Sequence, residues 1–116
     1  MNDSRTSGPP PTYFLMLTFE ISSDQEELFN DIYDTEHAPY ILAVEGVHSC
    51  VRFTDRSTSA EGWLVYSTLY RFDRPDLPDS PQWKAASDRG RWKDMIRPHV
   101  KSRQRRQGRI VAEYAK

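Results

Sequence analysis

The amino-acid sequence predicts a single small α+β domain with the element order β-α-β-β-α-β. Its length of 116 residues suits one domain. Four segments have the aromatic and β-branched content of strands, and two intervening segments carry apolar residues at helical spacing. We expect residues 13–116 to form this domain, and residues 1–12, which are rich in Ser, Gly and Pro, to be a disordered tail.

The first two predicted elements are a strand and a helix. Residues 13–21 are rich in aromatic and branched side chains, and every second one is apolar. Asp24 is predicted to cap the following helix, with Glu27 three residues later as in a capping box. Because Pro39 disfavours helical geometry in the residue before it, we expect the helix to end near His37.

A hairpin is predicted next. Its strands cover residues 47–53 and 63–72, and the polar connection 54–62 is long enough for a mobile loop. Both strands alternate in polarity, which predicts that one face of each lies against the core.

The last two predicted elements are a second helix and a strand. Ser80 followed by Pro81 is typical of a helix cap and first turn. Gly90 predicts a break or bend in this helix, and Pro98 predicts its end. Residues 109–114 are predicted to form the last strand, which completes the split βαβ arrangement of a ferredoxin-like domain.

Composition narrows the function classes. The chain is 37% hydrophobic and 28% charged, with no apolar run near the roughly 20 residues of a membrane span. The N-terminal residues lack the apolar core of a signal peptide, and the one cysteine, Cys50, cannot form an internal disulfide. These features predict a cytoplasmic protein that does not enter a membrane.

Charge is unevenly distributed although the net charge is −1. Residues 1–83 hold fourteen of the seventeen acidic residues, and residues 84–109 hold ten of the sixteen basic ones. The basic residues are scattered without interleaved aromatics, so a solvated or subunit-facing surface is favoured over a nucleic-acid surface. A domain of this size buries only roughly 60–70% of its unfolded surface, so a ligand cavity would need a second copy as its other wall. We therefore expect a homodimer.

His37 is the first candidate for chemistry. It lies one helical turn after Tyr33, which itself lies one turn after Phe29, so the three side chains are expected to share one row. An imidazole titrates near neutral pH and can exchange a proton with a phenol or an enol. Alternatively, His37 only bonds the last carbonyls of the helix, where its charged form is favoured.

The predicted hairpin supplies two further candidate faces. His48, Cys50 and Arg52 alternate along its first strand, and would offer a base, a thiol and a fixed cation to an anionic substrate. Tyr66 and Tyr70 share a face of the second strand and could stack on an aromatic ligand. The alternatives are a half-exposed strand and an aromatic core, and a lone cysteine is more often a packing residue.

Several catalytic motifs are missing from the sequence. It has no histidine or cysteine spacing typical of a metal site, no phosphate loop, no dinucleotide fingerprint and no Gly-x-Ser-x-Gly turn. We therefore expect an enzyme, if the chain is one, to work with no metal or nucleotide cofactor.

One segment resembles a known superfamily. Residues 33–39 (Tyr-Asp-Thr-Glu-His-Ala-Pro), followed by 44–47 (Val-Glu-Gly-Val), resemble the pattern of dimeric α+β barrel proteins of the EthD-like and antibiotic-biosynthesis-monooxygenase-like groups. Residues 92–95 (Trp-Lys-Asp-Met) fit the same template, and the resemblance covers about residues 13–115. The sequence departs from it at Glu45, where many relatives have proline.

The resemblance implies a homodimer in which two sheets form a barrel, with helices outside and a small-molecule pocket in each protomer. Relatives include cofactor-free oxygenases, cyclases, dehydratases, isomerases and some haem-degrading enzymes. Fold alone does not choose among these activities.

Together these observations predict a cofactor-independent enzyme that acts on a small aromatic or polyketide-like molecule. His37 would be the acid/base, and Arg52 would stabilise negative charge. Two alternatives stay open: a non-catalytic binding or accessory protein of the EthD-like type, and a haem-binding protein with His37 or His99 as axial ligand. The predicted substrate-binding residues are Tyr33, Tyr40, His48, Tyr66 and Tyr70.

Overall fold

The computed structural model describes residues 12–58 and 63–116. Residues 1–11 of the predicted tail lie outside the described residues, whereas Thr12 begins the first strand. Residues 59–62, at the end of the predicted hairpin loop, also lie outside the described residues.

Four strands form one antiparallel sheet. They are β1 (Thr12–Ile21), β2 (Val47–Thr58), β3 (Leu64–Phe72) and β4 (Ser102–Ile110). Their order across the sheet is β2-β3-β1-β4, and every neighbouring pair is antiparallel. The central pair is therefore β1 with β3, while β2 and β4 are the edges. This is the ferredoxin-like arrangement, and the predicted α+β fold class is confirmed.

Short helical segments pack on one face of the sheet. The first layer consists of α1 (Glu26–Ile32), a π turn (Tyr33–His37) and α2 (Ala38–Leu42). The second consists of α3 (Pro81–Ser87) and a second π turn (Trp92–Ile96). Single 3₁₀ turns complete these connections at Ser23–Gln25, Leu77–Asp79 and Arg97–His99. No helix among the described residues is long and apolar enough to cross a membrane.

Two predictions about the first helix are wrong. The helical backbone does not end near His37 but continues through Pro39 to the end of α2. The N–H of Ala38 donates to the carbonyl of Tyr33, five residues earlier, and this wider turn accommodates a proline that would clash in a regular α-helix. Asp24 does not cap the helix, because its carboxylate accepts a hydrogen bond from the Ser22 hydroxyl instead.

The start and the break of the second helical layer are as predicted. The Ser80 hydroxyl accepts a hydrogen bond from the backbone N–H of Trp83 at 3.2 Å, which caps α3. The chain then turns at Gly90, whose φ of 74° lies in the left-handed region that favours glycine. The side chain of Arg91, the next residue, is fixed to Glu36 on the first layer by a 2.6 Å contact from its Nε.

The last strand lies earlier than predicted. β4 covers residues 102–110, not 109–114, and it pairs with β1 from Thr12 opposite Ile110 to Glu20 opposite Ser102. Arginine and glutamine dominate this edge strand, so it has none of the apolar alternation by which buried strands are recognised. β2 also runs five residues further than predicted, to Thr58.

The core lies between the sheet and the helical layers. Odd-numbered residues of β1 face the helices, and two of them, Leu15 and Phe19, are only 2% exposed. The opposite face of the sheet carries apolar residues as well. There, Val51 and Phe53 of β2 are 52% and 46% exposed, and β1 contributes Met16 opposite Leu69 of β3. Among the described residues, no helix of the same chain covers this second face.

Candidate functional site

A cavity of about 320 Å³ opens between the helical layers and the half of the sheet formed by β1 and β4. Leu15 from β1, Ile41 from α2 and Trp83 from α3 supply apolar walls. His37 from the first π turn and Tyr70 from β3 line the same cavity. The volume suits a small molecule of one or two rings.

His37 is a buried member of this lining. Only 4% of the residue is exposed, and its ring stacks on Trp92 with 4.3 Å between the centroids and 22° between the planes. Its Nδ1 is buried and has no hydrogen-bond partner among the described residues. An unsatisfied buried polar atom costs free energy, so a native structure that keeps one calls for an explanation, of which a functional role is one.

The protonation state of His37 follows from its surroundings. Burial, and then the positive charge of Arg97, lower the pKa of His37 from 6.5 to about 3, while Asp88 acts in the opposite direction. The imidazole is therefore neutral at physiological pH. In that form one ring nitrogen donates a hydrogen bond and the other accepts one.

Tyr33 and Tyr70 stand next to His37. Their hydroxyl oxygens are 2.9 Å apart, and the Tyr33 ring meets the imidazole edge-on with centroids 4.9 Å apart. Burial is the largest cause that raises the pKa of Tyr33, to about 12, and it also raises the pKa of Tyr70 well above its usual value. Both phenols stay protonated, so they remain hydrogen-bond donors at neutral pH.

Charged side chains also line the cavity, and more of them are basic than acidic. Arg97 pairs with Asp88 at 2.9 Å, and Arg105 pairs with Asp79 at 3.5 Å. The charged lining consists of Lys84, Arg97, Arg103 and Arg105 together with Asp79 and Asp88. The excess of positive charge favours an anionic ligand or a ligand that becomes anionic.

The sequence did not point to these arginines as site residues. Arg103 and Arg105 lie on β4 opposite Phe19 and Leu17, on the face of the sheet that carries the helices. Their spacing of two is the only signal the sequence contains, and it becomes informative only when residues 102–110 are recognised as a strand.

Arg52 lies in a different network, outside the cavity lining. It donates hydrogen bonds to the Asp34 carboxylate and, at 2.7 Å, to the Asn30 side-chain oxygen. Its guanidinium carbon lies 4.6 Å from the Tyr33 ring centroid, and 5.4 and 5.6 Å from those of Phe29 and Tyr66. The guanidinium that was predicted to face a substrate is thus held by a carboxylate and an amide and is not part of the cavity lining.

Tyr66 belongs to this same network. Its hydroxyl donates to the Glu26 carboxylate and accepts from the Asn30 amide at 3.2 Å. The structure therefore brings Tyr33 and Tyr70 together with His37, and brings Tyr66 together with Arg52. Tyr33 touches both groups.

Tyr33 contacts His37 and Tyr70 but is not itself part of the cavity lining, and the remaining candidates do not line the cavity either. His48 is exposed and lies where the register of β2 against β3 shifts. It therefore does not lie on the same face as Cys50, although the sequence predicted a shared face. Tyr40 packs under the Arg89 guanidinium, 4.5 Å from its ring centroid, and His99 is exposed. Burial raises the pKa of Cys50 to about 11, which keeps it a thiol.

Comparisons with known proteins were made at three levels. No family model matches the chain, and no curated protein matches it. Solved structures do match. A dimeric ferredoxin-like protein from an uncultured marine organism is 18% identical with a TM-score of 0.67, covering 91% of this chain and 93% of its own.

Two further solved structures carry family names. An antibiotic biosynthesis monooxygenase-like protein of Bordetella bronchiseptica is 13% identical with a TM-score of 0.66, covering 88% of this chain and 99% of its own. An EthD family protein of Bacillus halodurans is also 13% identical, with a TM-score of 0.56, covering 83% and 96%. The resemblance drawn from residues 33–47 is thus confirmed, and at these identities what it establishes is the fold.

Proposed function

We propose that the chain is a cofactor-independent enzyme that acts on a small aromatic or polyketide-like molecule bearing a phenol or enol. The observation that carries this proposal is the position of His37 and Tyr70, two proton-handling groups, on one cavity with an excess of basic side chains. Cavities with apolar walls and a few convergent polar groups are the usual binding sites for small molecules.

The proposed chemistry begins with one proton transfer. The ligand O–H donates to a nitrogen of neutral His37, its proton moves to that nitrogen, and the ligand becomes a phenolate or enolate. Arg97, which lines the cavity, stabilises the new negative charge, and Tyr70 donates a hydrogen bond to a ligand oxygen. This step is common to oxygenation, dehydration and isomerisation of such molecules.

The charge of the ligand affects how strong a base His37 is. In the empty cavity a pKa of about 3 makes the imidazole a weak base. Burial is the largest cause of this low pKa, and it stays in place when a ligand binds. A negative charge on the ligand acts in the opposite direction, toward a higher pKa, as that of Asp88 does.

We assign Arg52 an indirect role in this account. Its contact with the Tyr33 ring holds the tyrosine that touches both His37 and Tyr70. Arg52 is thus a positioning residue, and the arginines that line the cavity stabilise the negative charge of the ligand.

A second candidate function is binding without catalysis, as in an accessory protein of the EthD-like type. The observation that favours it is the pKa of His37, which suits an imidazole that accepts a hydrogen bond without taking a proton. In this case the same ligands bind and leave unchanged.

We also propose that the chain is a homodimer in the cytoplasm. Val51 and Phe53 expose apolar surface on the sheet face without helices, and the similar marine protein is dimeric. A single half-buried cysteine, Cys50, fits a reducing compartment. Light scattering at micromolar concentration should give about twice the chain mass, and a stable monomer would contradict a dimer built on this face.

The test is turnover of a panel of phenolic and polyketide-like acids by the wild type, His37→Gln and His99→Gln. The last is a matched control, because His99 is exposed. We expect His99→Gln to behave as wild type and His37→Gln to lose roughly 10²–10⁴-fold in rate. Binding with no conversion by the wild type would favour the accessory protein, and no binding of any member would contradict both functions.

A further inference from the structure

A second cavity, of about 260 Å³, adjoins the first. Two arginines, Arg97 and Arg103, line both of them. The remaining lining of the second cavity is Phe19, Trp92, Val100 and Lys101. The two cavities therefore share part of their walls.

Trp92 connects the second cavity to the chemistry of the first. Its ring stacks on the imidazole of His37 at 4.3 Å, and it also packs edge-on against Phe19 at 5.6 Å. Both aromatic residues are almost fully buried. A ligand that contacts the Trp92 ring in the second cavity would be separated from the proposed acid/base, His37, by that ring.

The charges of the two cavities differ. The first contains Asp79 and Asp88, which pair with Arg105 and Arg97. Among the described residues that line the second cavity there is no acidic side chain, whereas three are basic, and one of these, Arg97, is the partner of Asp88. Of the two, the second is therefore the better place for a permanent negative charge.

We propose that the second cavity binds the carboxylate end of an elongated aromatic acid whose hydroxylated ring occupies the first cavity. This inference rests on the proposed function for the position of the ring, and it adds the substrate class: a phenol or enol joined to a carboxylate by a short apolar spacer. Arg103 and Lys101 hold the carboxylate, and the spacer passes beside Arg97.

Calorimetric titration with matched ligands tests this inference. The series consists of para-cresol, which has no carboxylate, para-hydroxybenzoate, para-hydroxyphenylpropanoate and para-hydroxyphenylpentanoate, with benzoate as an anion without the hydroxyl. Lys101→Gln changes a residue that lines only the second cavity, and Lys84→Gln is the matched control because it lines only the first.

We expect affinity to rise by about tenfold or more from para-cresol to the best of the longer acids, since charged hydrogen bonds are the strong ones. Lys101→Gln should abolish most of that gain, and Lys84→Gln should keep it. Both lysines are exposed, so neither substitution is expected to unfold the protein.

The two proposals fail in different ways. If para-cresol binds, but the longer acids gain nothing and Lys101→Gln has no effect, the second subsite is overturned and the first cavity stands. If para-cresol does not bind while benzoate binds and loses affinity in Lys101→Gln, the anion site is supported and the proposed function is overturned.

Discussion

On the β2 side of the helix–sheet interface the Arg52 guanidinium donates to Asp34 and Asn30, whereas on the β4 side His37 lines a cavity. One nitrogen of each, Nε of Arg52 and Nδ1 of His37, is buried without a hydrogen-bond partner among the described residues. Both groups are polar, both are largely removed from water, and both contact the same Tyr33 ring. They differ in what surrounds them, since one is enclosed by acceptors and aromatic rings and the other borders empty space.

The surroundings of a polar side chain therefore distinguish a structural role from a functional role better than its residue type does. A charged group that is enclosed by its partners and borders no cavity contributes to stability without meeting a ligand. A neutral imidazole that lines a cavity can donate or accept a hydrogen bond when a ligand enters that cavity. The sequence analysis named both His37 and Arg52 as catalytic candidates, and of the two only His37 lines the cavity.

The largest expected effect is on the Arg52 side. Arg52→Ala removes hydrogen bonds to two partners and the contacts with three aromatic rings, so it should lower the free energy of unfolding by about 2–3 kcal/mol. Urea unfolding measures this. Arg71→Ala is the control, because its partner Glu113 is 63% exposed and such pairs contribute about 0–1 kcal/mol. Equal losses in the two variants would remove the distinction between the networks.

The next effect concerns His37 and pH. Below pH 6.5 the unfolded chain binds a proton at His37, whereas the folded chain does so only near pH 3, because burial lowers the pKa of the folded state. The unfolded state therefore gains protons as the pH falls, and stability falls by about 1.4 kcal/mol per pH unit between pH 6 and pH 4 from this group.

Urea unfolding of the wild type and His37→Gln across this pH range isolates the contribution, since other groups titrate alike in both. The difference in unfolding free energy between the two proteins should change steadily with pH. The exposed His99→Gln should track the wild type. A pH-independent difference would mean that His37 is not held neutral in the fold.

The smallest of these effects concerns the paired phenols. Tyr70→Phe removes the 2.9 Å hydrogen bond to the Tyr33 hydroxyl and should cost about 1 kcal/mol of stability. It should also weaken ligand binding, because Tyr70 lines the cavity. Tyr114→Phe, at a residue 92% exposed, should change neither quantity. Unfolding and calorimetry of both variants measure the difference, and wild-type binding by Tyr70→Phe would exclude its hydroxyl from the site.

Much of the fold was predictable because most elements carry their own signals. β1 alternates in polarity, Ser80 caps α3, and the row of Phe29, Tyr33 and His37 was predicted from helical spacing and is confirmed by ring contacts of 5.6 and 4.9 Å. β4 has no such signal, because an exposed edge strand of arginine and glutamine is stabilised by pairing with β1 and not by burial.

The candidate site was predictable only in part, for the same physical reason. Tyr33, Tyr70 and His37 were identified from residue type and spacing, but the same signals also named Tyr40 and His48, which do not line the cavity. Arg103 and Arg105 were not identified, because their role depends on which strand faces the helices across β1. The hydrogen bond between Arg52 and Asp34 likewise depends on tertiary structure and could not be predicted from the spacing of residues along the chain.

The most direct test of the central claim is a side-chain NMR titration of the three histidines with para-cresol and para-hydroxybenzoate at neutral pH. His48 and His99 are exposed and serve as internal controls for the buried His37. The account predicts that only the His37 imidazole signals shift in the wild type and that this shift saturates. In Tyr70→Phe the shift should be absent, or should require a higher ligand concentration. Unchanged His37 signals at millimolar ligand, or equal shifts at all three histidines, would contradict it.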